Sequence, residues 1–176
     1  MMKKKRLAAV LLLLAAAGIG LLCYAGRYRS YETYAAYASH GGRTPVPFPE
    51  QAENCRFVLR NLLIAKQYLY AFTLPEKAAA DFEAELTESF RLDSAEENDL
   101  KYGYAHWYGK TAGACAGQDE GLDAFPLHLA FSRVTDRDVR GAKILVYSPT
   151  GSGSRSFGVL TFPDTREYIC YEYLSR

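Results

Sequence analysis

Histidine is scarce in this sequence, three residues in 176, and sulfur is little commoner, with four cysteines and two methionines. His40, His106 and His128 stand far apart, and no two fall at the spacing that sets metal ligands on one helix face. Asp119, Glu120 and Asp123 lack the alternation of a calcium loop, and Asp136 and Asp138 read as a charged turn. No phosphate loop is present either. Gly151, Gly153 and Gly158 lack the lysine and following helix that would hold a nucleotide, so they read as a hairpin loop. No serine stands in a nucleophile elbow. No metal and no cofactor are therefore expected, and the absence of a clustered basic face argues against nucleic acid as a partner.

Acid is missing from the N-terminus. All 20 acidic residues lie beyond Gly26, whereas Lys3, Lys4, Lys5 and Arg6 precede an uncharged run from Leu7 to Ala25. With those four of the 21 bases set aside, the remaining 17 face 20 acids. At about 1.5 Å per residue the run is just long enough to cross a bilayer as a helix. The flanking charge orients residues 1–6 to the cytoplasm and the rest of the chain outside it. Residues 7–25 thus read as a single-pass transmembrane anchor in contact with membrane lipid. Cys23-Tyr24-Ala25 offers a small-x-small cleavage site, which would make the same segment a signal peptide and the product secreted, but the run exceeds the usual signal core of about 7 to 15 residues.

Beyond the run, Tyr24, Tyr28, Tyr31, Tyr34 and Tyr37 recur at three- and four-residue steps, which predicts a juxtamembrane helical stalk over 26–42. Residues 43–49, with Pro45, Pro47 and Pro49, read as a stiff linker, and 50–176 as one extracytoplasmic α+β domain. Residues 51–72 are so apolar that a largely buried helix is expected. A second helix is signalled by Thr73 as cap and Pro75 in the first turn, running to about Leu92. Nine acids and two bases lie between Glu76 and Asp99, which suits a solvated face or a docking surface for a basic partner. After Asp99 the period becomes two. Residues 101–110, 125–134, 143–147, 157–162 and 168–174 predict about five antiparallel strands, with both helices packed on one face of the sheet.

Two functional readings follow. In residues 101–110, Tyr102, Tyr104, His106 and Tyr108 alternate onto one strand face, an aromatic surface suited to a protein or a cell-envelope glycan. A non-catalytic, membrane-anchored binding or scaffold domain is the reading preferred here. The alternative makes Cys170 a nucleophile with His106 or His128 as base and Arg166 or Arg176 at the oxyanion, a trio that resembles the one used by sortase-type transpeptidases. The sequence departs from that family: two long helices precede the strands, and Tyr-Ile-Cys-Tyr lacks the local motif. Cys115 and Cys170 are the pair best placed for a disulfide, because Cys55 falls on the apolar face of the first expected helix.

Overall fold

Residues 51–72 are apolar at so many positions that periodicity alone does not separate a buried helix from strands buried on both faces. The computed structural model, which describes residues 26–62, 65–90, 111–112, 129–148 and 155–175 together with Leu14, Ala17 and Gly18, shows strands. β1 (Tyr28–Tyr31), β2 (Glu53–Asn61) and β3 (Ala65–Thr73) form one meander. β4 (Lys143–Ser148), β5 (Arg155–Phe162) and β6 (Glu167–Ser175) form a second. The two join along β3 and β6 in one six-stranded antiparallel sheet of order β1-β2-β3-β6-β5-β4. Between the meanders runs the one long helix among the described residues, α2 (Glu76–Phe90), and α1 (Tyr34–Ser39) is a short turn between β1 and β2.

The expected architecture of two helices on a five-stranded sheet is therefore corrected. The first expected helix is the β2–β3 hairpin, in which Phe57 and Leu59 point to one face and Val58 to the other. The stalk is corrected too. Tyr28 and Tyr31 lie in an edge strand, and Thr33 then caps α1 by accepting from the Ala36 N–H at 3.2 Å. Tyrosines that would share one helix stripe are thereby divided between the two faces of the sheet. Within 125–134, expected as a strand, Phe131–Arg133 form a single 3-10 turn lying over the sheet. The expected N-terminal membrane-spanning helix is not found: among the described residues no helix is long and apolar enough to cross a membrane. Residues 101–110 lie outside the described residues.

Both faces of the sheet are buried, which is why its strands read as continuous apolar runs. On the helix side Phe57, Tyr68, Tyr70, Phe72, Tyr168 and Cys170 pack beneath Tyr37 of α1, Val46, and Ala79, Phe82 and Leu86 of α2. The last three recur at helical spacing, so α2 is amphipathic and owes its stability to this contact. A bulge between Ile144 and Val146 turns Leu145 and Val146 to the same side. On the opposite face Leu69, Ile144, Leu160, Ile169 and Tyr171 are covered by Leu129, Phe131, Val134 and Ala142. The register also polarises the sheet. One end gathers the start of β1, the Asn61–Lys66 connection, the C-terminus of β6 and Arg155, whereas the other gathers Glu53, Thr73, Glu167 and Phe162.

Candidate functional site

Proline fixes φ, so Pro45, Pro47 and Pro49 stiffen the chain after α1. That segment lies across the helix side of the sheet as a strap. Val46 is buried, and Phe48 packs edge-on against Phe72 at 5.6 Å and stacks with Tyr34 at 4.9 Å. α2 begins just past Thr73, at the same end of the sheet, and its outer face runs beside the strap. Between the two lies a groove of about 490 Å³ with Phe48, Ala78 and Phe82 as its apolar floor. Pro47, Pro49 and Pro75 stiffen its walls, while Glu50, Gln51, Lys77, Asp81 and Glu85 form the rim.

The rim is acidic. Lys77 is its one base, and its Nζ lies 2.8 Å from Asp81 Oδ2, an i,i+4 pair in which both side chains are well exposed. The hydrogen bond to Asp81 holds the Lys77 ammonium above its ordinary range. Glu50 and Glu85 are left as the outward-facing charges of the groove. α2 is held in position from beneath. The Tyr168 hydroxyl donates to Glu83 Oε1 at 2.7 Å, and burial followed by the Glu83 charge pushes the phenol pKa well up. Such a site has a floor for an apolar side chain and a rim for a cation.

Of the residues singled out in the sequence, Tyr102, Tyr104, His106, Tyr108, Cys115, His128 and Arg176 lie outside the described residues. Cys170 lies inside them and is fully buried in β6, a free thiol between Tyr168 and Glu172 on the helix-side face. Burial pushes its pKa up to about 12. The neighbouring Tyr70 hydroxyl is also buried and makes no hydrogen bond of good geometry. Arg166, in a left-handed turn conformation (φ 51°), donates from Nε to the Leu74 carbonyl at 3.2 Å and so ties the β5–β6 turn to the β3–α2 junction. His40 is exposed at the end of α1, its Nδ1 beside the Ala36 carbonyl. The groove is only partly legible in the sequence. The prolines and the acids after Glu76 are plain in the sequence, but nothing in it sets residues 47–51 beside residues 75–85. Compared with known proteins, the chain matches no family model, no curated protein and no solved structure.

Proposed function

We propose that this chain is a non-catalytic binding domain, brought to the outer side of a membrane by its Leu7–Ala25 run, and that the groove between the proline strap and α2 is its ligand site. The observation that carries the reading is the construction of the groove. Aromatic side chains rooted in the core form its floor, prolines stiffen its walls, and uncommitted carboxylates stand at its rim. The state of Cys170 supports the non-catalytic half. A thiol must ionise to act as a nucleophile, and one with a pKa near 12 and no exposed surface is protonated and out of reach at neutral pH. The lysine and arginine block before Leu7 supports the orientation.

The test is photocrosslinking in intact cells. A photoreactive residue at Glu85 is expected to yield a discrete adduct that the same probe at Arg140, on the opposite side of the sheet, does not yield. Ala78→Trp, which fills the groove from a partly buried position on α2 at the edge of the core, is expected to abolish that adduct in a variant that still unfolds cooperatively. An adduct indifferent to Ala78→Trp would remove the groove from the account.

A further inference from the structure

The end of the sheet where the chain leaves Leu7–Ala25 has a composition of its own. β1 starts at Tyr28, and Arg60 Nε donates to the Gly26 carbonyl at 2.8 Å, while Arg60 also reaches the Tyr28 hydroxyl at 3.1 Å. Residue 26 is thus pinned to the β1–β2–β3 corner, with no slack chain between that corner and the apolar run. Arg27 and Arg29 flank Tyr28 and are exposed, and Lys66 opens β3 beside them. Leu62 is half-buried, its N–H bonded to the Ala65 carbonyl at 2.7 Å, and the sequence from it reads Leu62-Leu63-Ile64-Ala65. No acid occurs among the described residues of β1 or of the adjoining ends of β2 and β3. The nearest one on β6, Glu172, is buried and paired with Arg155 at 2.6 Å. The opposite end carries Glu53, Asp136, Asp164 and Glu167, where Arg56 and Arg137 are engaged by Asp136 and Asp164.

We infer that the Arg27, Arg29, Arg60 and Lys66 corner is a docking surface for anionic phospholipid, which holds the domain upright on the bilayer. The inference rests on the proposed membrane attachment through Leu7–Ala25. If that run is in lipid, Gly26 is at headgroup depth, and its bond to Arg60 brings the corner there as well. Basic side chains at that depth are attracted by anionic headgroups, an attraction that falls off within a Debye length. The opposite, acidic end is repelled by the same headgroups. The groove belongs to that end: its strap leads into the start of β2 at Glu53, and Pro75 and Lys77 stand at the start of α2. Docking therefore points the groove away from the bilayer, about 27 Å out by the rise of a nine-residue strand.

The experiment uses the full chain reconstituted into vesicles of phosphatidylcholine alone or of phosphatidylcholine with phosphatidylglycerol, read by flotation and by amide hydrogen exchange. The chain is expected to float with both. Exchange at residues 26–31 and 58–62 is expected to be about tenfold slower on the anionic vesicles, an advantage that high salt removes. Arg29→Gln/Lys66→Gln should erase that difference without changing the melting temperature. A chain that floats but exchanges identically on both vesicles, or a double variant that keeps the protection, overturns this inference and leaves membrane attachment standing. A chain that does not float overturns both.

Discussion

Gly158 has the Tyr171 ring lying over it across the β5–β6 pair. A Cβ built there would fall 2.5 Å from Cε1 of that ring. The ring has nowhere to go, being fully buried and met edge-on by Phe131 at 5.7 Å. Gly158→Ala is therefore expected to lower stability by about 2 kcal/mol, the range of an overpacked core. Gly141→Ala, whose Cβ meets nothing within 4 Å, should change it little. Urea midpoints of the two variants check this, and equal midpoints would show that Tyr171 yields. In the sequence Gly158 looked like part of a glycine-rich hairpin with Gly151 and Gly153. Nothing local marks it as a packing position, because the ring that requires it lies thirteen residues away.

Among elements, α2 was legible and β2–β3 were not, for one physical reason. α2 shows a buried stripe against a charged outer face, and Pro75 in front of it marks the start; a one-sided element keeps its period. β2 and β3 are covered on both sides, by Tyr37, Val46 and Phe48 on one face and by Leu129, Phe131 and Val134 on the other. Apolar residues at consecutive positions then erase the alternation, and the connection at Leu62 to Ala65 has no glycine or proline to announce a turn. Beyond apolar contact, the Tyr168–Glu83 hydrogen bond fastens α2 to the sheet. Tyr168→Phe should cost about 1 to 2 kcal/mol, since a charge-assisted bond is lost while the ring stays in place. Exchange in α2 should quicken more than in β2. Uniform quickening along the chain would mean that the bond does not act on the helix.

At the scale of the whole molecule, the core shields several ionisable tyrosine hydroxyls and the Cys170 thiol. Burial raises the pKa of Tyr37, Tyr70, Tyr168 and Tyr171 above the ordinary 10.0, and that of Cys170 from 9.0 to about 12. The folded chain thus keeps protons that the unfolded chain releases. Stability from these groups is complete below the unfolded values, and it is lost as pH rises through 9.0 for the thiol and 10.0 for the phenols toward their folded values. The slope is about 1.4 kcal/mol per pH unit for each group titrating only in the unfolded chain. Urea midpoints should therefore fall steeply above pH 9, with the earliest part of the fall reduced in Cys170→Ala and the remainder of it due to Cys55, whose pKa burial also raises. A flat profile through that range would show that water reaches these groups in the folded state. The sequence by itself determined what depends on order along the chain: the uncharged run behind a basic block, the proline segment, the start of α2 and the strands over 143–147, 157–162 and 168–174. Only the tertiary structure decided that residues 51–72 are two strands, that Cys170 is sealed in the core, and that residues 47–51 stand beside 75–85 to make a groove. Those outcomes depend on which surfaces meet when two distant meanders close along β3 and β6, and burial on both faces removes the local periodicity that would have announced them.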